Sequence, residues 1–343
     1  MVTESPVATH RQGRTLIFQG AWIAGAATVA GPAEGRGPLG SAFDRVVDDH
    51  LMGQKSWERA ESELICLAVD MLLQRLGLQR EDFDVMLGGD LADQLTASTF
   101  AAREIDIPFL GLFTACGTFA QGLGLAAALC DGGYVGRVLL TVSSHHDAAE
   151  RQYRFPTEFG NQRPPTAQWT ATGAVAVAIV AEPRDDSHLR IEAFTPGRVI
   201  DFCQKNPLDM GSAMAPAAAD TIAAHLSDLQ RQPGDYAAIY SGDLGRVGKP
   251  ICEDLLSQRG ITAQLHDCGV ELYDPGHQDI HAGGSGPACS ALVFCARILP
   301  ELKQGHRACL AGTGALHSPT TYQQGESIPA IAHAVTVTSA ERG

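Results

Sequence analysis

A chain of 343 residues, 45% hydrophobic and 19% charged, holds enough apolar material for one large or two medium domains, and it has no stretch of about 18 or more apolar residues to span a membrane. Its formal net charge of −14 argues against a nucleic-acid partner, because neutralising phosphates needs a basic face that an acidic chain does not readily assemble, and it disfavours adhesion to an anionic lipid surface. Nine cysteines without a Cys-x-x-Cys pair, behind an N-terminus that lacks the charged-then-apolar order of a signal peptide, predict free thiols in a cytosolic protein and make disulfide and zinc readings weak.

In chain order, Leu64, Ile65, Ala68, Met71, Leu72 and Leu76 recur at helical spacing between Ser56, an N-cap residue type, and Gly77, a stop, which predicts a helix over 56–76. An apolar run over 84–87 ends in Gly88-Gly89-Asp90 and leads into a helix through Arg103. Residues 108–113 read as a buried strand, and Phe113-Thr114-Ala115-Cys116-Gly117 as a strand-to-helix junction with Cys116 at the start of an Ala- and Leu-rich helix over 118–130. A strand over 137–142 runs into Ser143-Ser144-His145-His146-Asp147, and from there Pro, Gly, Arg and aromatics follow without periodicity. The segment 143–171 is therefore expected to be a long structured loop that covers a site. Strands are predicted over 172–180 and 189–194.

The second half repeats the first. A helix over 217–229 leads to a strand over 236–240 that ends in Ser241-Gly242-Asp243-Leu244, as the earlier run ends in Gly88-Gly89-Asp90-Leu91, a separation of 243 − 90 = 153 residues. A helix over 250–259, a strand over 261–266, a helix over 285–302 and strands over 307–311 and 331–337 follow. Asp90 precedes the strand at Arg137 by 47 residues, whereas Asp243 precedes the strand at Arg307 by 64, so the second half carries an insertion around 268–281. Duplication of a strand–helix unit explains this order, and two such halves packed together bury the Ala-rich helices at 118–130 and 286–299 between sheets. The expected architecture is α/β, two αβα halves in an α-β-α-β-α stack, with a polar N-terminal extension (1–15), a first half (16–195) and a second half (196–343).

That arrangement, with a cysteine at the start of a buried helix, resembles the thiolase-like superfamily. Within it, Ala30-Gly31-Pro32, Gly37-Pro38-Leu39-Gly40, Ala149-Glu150-Arg151-Gln152, Phe155-Pro156-Thr157-Glu158, the stretch Gly-Ser-Ala-Met-Ala-Pro-Ala-Ala-Ala-Asp over 211–220, Ala282-Gly283-Gly284-Ser285-Gly286 and Glu326-Ser327-Ile328-Pro329 resemble the stage V sporulation protein AD family. The resemblance covers nearly the whole chain after the first dozen residues. It implies a protein that binds dipicolinic acid, alone or with calcium, during uptake into the developing spore. It also implies a place on the forespore or spore inner membrane beside the other membrane proteins of the same transport system, and a homodimer.

The residues themselves bear on catalysis. A thiolate at a helix start gains from unpaired N–H groups and the helix dipole, so the pKa of Cys116 can fall below the roughly 8.5 of a free cysteine. Condensing enzymes of the thiolase fold also need a second-half His and an Asn or second His. The positions that the repeat aligns with these carry Ser241-Gly242-Asp243 and Gly283-Gly284-Ser285-Gly286. An acid there raises the thiol pKa again, so the acyl-transfer machinery reads as lost. Gly312-Thr313-Gly314 resembles the loop that supplies backbone donors to the thiolase oxyanion pocket, and such donors bind a carboxylate equally well. The expected ligand site therefore comprises Cys116, Asp243, Gly284, Ser285 and Gly314, with His145, His146 and Arg151 providing positive charge and with no cofactor. Adjacent side chains on a strand end point to opposite faces, which argues against His145-His146-Asp147 as a metal cluster.

Other readings stay open. Cys116 also fits as a small core residue, Arg151, Arg154 and Arg163 as solvated loop charges, and Asp90 as a helix cap. Gly122-x-Gly124-x-x-Ala127 imitates a dinucleotide fingerprint, but inside a helix rather than in the turn before it, so it is rejected. Beside the binding function stand an acyltransferase acting through Cys116 on a coenzyme A or carrier-protein thioester, and a dimeric scaffold for a membrane complex with no ligand.

Overall fold

The computed structural model describes residues 10–183 and 188–340; most of the polar extension, 1–9, lies outside them. Ten strands carry the architecture. The first five are β1 (Trp22–Ala30), β2 (Val85–Gly89), β3 (Phe109–Gly111), β4 (Arg137–Ser144) and β5 (Gly173–Val180). The second five are β6 (Leu189–Thr195), β7 (Ala238–Ser241), β8 (His266–Asp267), β9 (Arg307–Ala315) and β10 (Ala330–Ser339). Both sets have the same order, β1-β5-β4-β2-β3 and β6-β10-β9-β7-β8, and they join edge to edge where Leu189 and Arg190 of β6 pair with Ile23 and Trp22 of β1. The strand β6, placed by sequence at the end of the first half, takes position one in the second set, because its long antiparallel partner is β10.

The residue patterns explain the layers. Every residue of β5 and of β10 is buried, so these strands are covered on both faces and read as continuous apolar runs rather than alternating ones. On the outer faces lie α1 (Trp57–Leu76) and α2 (Thr96–Ile105) for the first set and α5 (Met210–Asp228) and α6 (Gly245–Ser257) for the second. Between the sheets lie α3 (Thr118–Asp131) and α7 (Pro287–Val293), which pack on each other and on both halves. Small residues permit that sandwich: Cβ atoms on Gly122 and Gly124 of α3 would stand 2.3 Å from Leu140 and 2.2 Å from Phe194.

Several elements differ from the sequence reading. The expected loop 143–171 contains α4 (His146–Tyr153), two turns too short and too polar for periodicity to reveal. Helices expected from 217 and 250 start at Met210 and Gly245, so Pro216 and Pro250 lie inside helices rather than at or before their starts. The helix expected over 285–302 is broken into α7, a π-helical stretch Phe294–Ile298 and a short turn Leu299–Glu301. Between β3 and α3 lie 117 − 111 = 6 residues, and between β8 and α7 lie 286 − 267 = 19, so most of the predicted insertion falls here.

Candidate functional site

The chain reverses tightly between β3 and α3. Gly117 N–H bonds the Thr114 carbonyl at 3.0 Å, Ala115 adopts φ 49°, and Thr118 Oγ1 donates to the Ala115 carbonyl at 2.7 Å. A left-handed alanine is strained, and the turn it holds aims Cys116 at the second half. Cys116 and Ser285 occupy equivalent positions, each just before the glycine that caps a central helix. Their side chains meet at 3.5 Å.

From Ser285 a hydrogen-bonded chain runs inward. Ser285 Oγ donates to Asp243 Oδ2 at 3.0 Å, so it accepts from the Cys116 S–H, and Gly286 N–H lies 3.3 Å from the sulfur and 3.2 Å from the same carboxylate oxygen. Thr313 Oγ1 donates to Asp243 Oδ1 at 2.6 Å and accepts from the Asp243 N–H at 3.0 Å. Burial first, and then the negative charge of Asp243, push the Cys116 thiol well above the ordinary thiol range. Burial also raises Asp243, against the lowering effect of its hydrogen-bond donors. The lowered thiol pKa expected for a helix start is thus overruled: dehydration outweighs a terminal dipole worth about 1 kcal/mol. Among the described residues, the sulfur's hydrogen-bond partners are a hydroxyl and a backbone N–H, with no imidazole.

The cavity beside Cys116 has a volume of ≈ 30 Å³, counted as the space open to the centre of a water molecule, and is lined by Leu91, Ala149, Tyr153, Arg154, Thr170, Met210, Ser285 and His317 among others. That is room for about two waters at roughly 10–15 Å³ each. Arg154, one of the arginines read as a solvated charge, has a side chain only 8% exposed and bonds Glu150 through Nε at 2.8 Å and Nη2 at 2.5 Å. Among the described residues its Nη1 meets only the Met210 sulfur, at 4.0 Å. The Glu150 bond raises the guanidinium pKa against burial, so the cation is secure. Tyr153 donates to the Leu91 carbonyl at 2.6 Å and stands 5.6 Å, ring to ring, from His317. His317 Nε2 has no hydrogen-bond partner among the described residues, and burial, then Arg154, lower its pKa to about 4. Tyr153 and His317 also line an outer cavity of ≈ 340 Å³ with Gln94, Leu95, Phe113 and Leu316, and so form the partition between the two spaces.

The positive charge predicted for the site is mostly elsewhere. Arg151 is on the surface, its side chain 48% exposed and paired with Glu58. His145 is fully buried against Trp57, with ring centroids 5.5 Å apart, and His146 stacks on Trp169 at 3.6 Å; neither lines the cavity. Gly284 and Gly314 do not line it either. The Gly284 carbonyl accepts from Gln168 Nε2, and a Cβ on Gly314 would stand 2.1 Å from the Thr114 carbonyl, so that glycine serves close approach of the two turns. Cys116, Ser285 and Asp243 are brought together as expected. The missed residues are Arg154, Tyr153 and His317. The Glu150/Arg154 spacing of four was a signal for the first, whereas nothing local marked the other two.

A duplicated α-β-α-β-α fold with a cysteine before a central helix defines the thiolase-like class. Solved structures agree: 3-oxoacyl-(acyl carrier protein) synthase III of Pseudomonas aeruginosa PAO1 superposes with a TM-score of 0.56 at 14% identity, over 95% of this chain and 100% of that one. The tetronic acid condensing enzyme AbyA1 gives 0.59 at 16% over 93% and 99%, and cerulenin-bound OleA of Xanthomonas campestris 0.57 at 18% over 95% and 99%. At such identities the likeness shows the fold alone. The sequence narrows the class: residues 12–338 match the family described as Stage V sporulation protein AD (SpoVAD), and the stage V sporulation protein AD of Bacillus subtilis (strain 168) is 47% identical over 318 residues, 92% of this chain and 93% of that protein. The chain belongs to the stage V sporulation protein AD family, a group of sporulation proteins with the thiolase-like fold. No helix among the described residues is long and apolar enough to cross a membrane.

Proposed function

We propose that this protein is a non-catalytic receptor for dipicolinic acid, free or with calcium, acting with membrane proteins of the spore uptake system at the forespore or inner spore membrane. The observation that carries the reading is Arg154: a buried guanidinium, neutralised along one edge by Glu150, whose Nη1 is left without a strong acceptor beside the Cys116 cavity. A carboxylate is the natural partner for that nitrogen. The thiol next to it is held protonated and lacks an imidazole partner, which suits a pocket wall better than a nucleophile. A flat dicarboxylate exceeds the inner space, so binding requires Tyr153 and His317 to part and join it to the outer cavity. Isothermal titration with dipicolinate, with and without calcium, tests the reading. Binding is expected, and Arg154→Lys, which keeps the charge opposite Glu150 but loses the planar fork, is expected to weaken it at least about tenfold. Absence of heat with the wild-type protein under both conditions removes the proposal.

His317 in the same cavity favours a second reading, acyl transfer through Cys116. It requires an acyl adduct on Cys116 after incubation with a coenzyme A thioester, detected by mass spectrometry and lost in Cys116→Ser. A homodimer belongs to the proposal as well: β3 is an edge strand, and Leu110 on it (52% exposed) and Phe113 just beyond it (46%) are open to solvent. Sedimentation at micromolar concentration distinguishes dimer from monomer.

A further inference from the structure

At the opposite end of α4 from Arg154, the side chains of His50, His145 and Asp147 bring three polar atoms together. His145 Nε2 lies 2.8 Å from the His50 carbonyl. A carbonyl only accepts, so that nitrogen carries the ring hydrogen and Nδ1 is left as a bare acceptor. His145 Nδ1 points at Asp147 Oδ2 from 3.8 Å, has no hydrogen bond, and belongs to a side chain with no exposure. Two acceptors thus face each other, one of them on a fully buried side chain. His50 Nδ1 approaches the same carboxylate oxygen at 3.3 Å, and the three donor atoms all lie within 4.8 Å of one another.

We propose that His50, His145 and Asp147 form a binding site for one divalent transition-metal ion of the zinc type. Two imidazole nitrogens and one carboxylate oxygen suit zinc and its neighbours, whereas calcium and magnesium take oxygen donors. Tetrahedral ligands at about 2.0–2.2 Å from an ion lie roughly 3.3–3.6 Å apart, close to two of the separations already present. The Nε2–H bond of His145 to a backbone carbonyl is the outer contact that fixes the tautomer and orientation of a metal-binding histidine. A simple ion pair of His50 with Asp147 satisfies two of the three atoms but leaves His145 Nδ1 facing a carboxylate with nothing between them. A cation satisfies all three. The side chains of His50 and Asp147 are 32% and 16% exposed, so the cluster lies close to the surface. Sequence reading discounted a metal here because His145 and His146 point to opposite faces; they do, and the third ligand comes from His50, 95 residues upstream of His145. The ion ties the segment around His50 to the start of α4, the helix that ends in Tyr153 beside the cavity.

The test uses the untagged full-length chain, stripped of metal and kept reduced. Equilibrium dialysis against zinc chloride is expected to load one equivalent that is lost, or weakened at least about tenfold, in both His50→Gln and Asp147→Asn. Cobalt(II) in the wild-type protein is expected to give the visible absorption of a tetrahedral nitrogen/oxygen site without thiolate charge-transfer bands. Circular dichroism of the metal-free variants monitors folding, and if either variant is unfolded the wild-type cobalt spectrum decides. No bound equivalent in the wild type, zinc retained unchanged by both folded variants, or a thiolate-type cobalt spectrum overturns the site.

Discussion

Asp90 and Asp243 stand 153 residues apart at the ends of the equivalent strands β2 and β7, and the repeat gives them different partners. Asp90 accepts from the N–H groups of Ala92 and Ser98, both at 2.7 Å, and so caps α2. Asp243 turns inward to Ser285, Thr313 and Gly286, and the capping duty at α6 passes to Asp267, which accepts from Leu244 at 2.8 Å and Gly245 at 3.1 Å. The same divergence separates Cys116 from Ser285. Duplication therefore fixed positions, while the contact between the halves decided which side chain serves the scaffold and which serves the cavity.

The sharpest way to break that comparison is to remove each carboxylate. Asp243→Ala leaves the Ser285 and Thr313 hydroxyls without their acceptor and Gly286 N–H with only the sulfur, all in a buried place, and a loss of about 3 kcal/mol or more is expected in urea unfolding; Asp90→Ala removes a cap and is expected to cost about 1–2 kcal/mol. Equal losses would contradict the distinction. Next in size, Gly314→Ala forces a Cβ against the Thr114 carbonyl and is expected to cost about 1–3 kcal/mol and to speed alkylation of Cys116 by iodoacetamide. Its counterpart Ser144→Ala loses one hydrogen bond, to the Ala171 carbonyl, worth about 1 kcal/mol, and leaves alkylation slow.

Acid acts on both halves: burial lowers His146 of the first to about 4, and three more such histidines, His225, His317 and His333, belong to the second. Burial lowers these three to about 3, 4 and 4. The unfolded chain takes up these protons near pH 6.5 while the folded chain does not until about pH 3–4, so the stability they contribute is complete above pH 6.5 and drains away as pH falls towards 4. Each is expected to remove on the order of 1–2 kcal/mol by pH 5, and urea midpoints at pH 7 and pH 5 should lie closer together in His333→Gln than in the wild type. The smallest effect is expected at Arg151, whose pairing with Glu58 is at the surface. Arg151→Ala should change stability by less than about 0.5 kcal/mol and leave dipicolinate titration unaltered, against the marked loss at Arg154.

Legibility in the sequence followed the range of the forces involved. The helix over 56–76 was readable because its apolar spacing, its Ser56 cap and its left-handed Gly77 stop are all local, and α1 ends where they indicate. The repeat was readable because Gly-Asp-Leu recurs at the end of two apolar runs. The helix α4 was not, since its eight residues hold only two adjacent alanines among polar side chains, too few for an apolar stripe, and the helix stands on its contacts with the segments around it. Site charges failed for a related reason: Arg151 and Arg154 stand one turn apart, and which of them enters the cavity depends on contacts with Glu58, Glu150 and Met210 that local pattern did not announce.

The sequence alone determined the duplicated α/β layout, the place of Cys116 before a central helix and the absence of the usual imidazole helpers at the aligned second-half positions, because periodicity, turn residues and repeats act over short stretches of chain. Only the tertiary structure decided that the thiol is protonated, that Arg154 rather than Arg151 faces it, and that His50 joins His145 and Asp147. Those outcomes rest on burial and on distances between residues far apart in the chain, which no local pattern encodes.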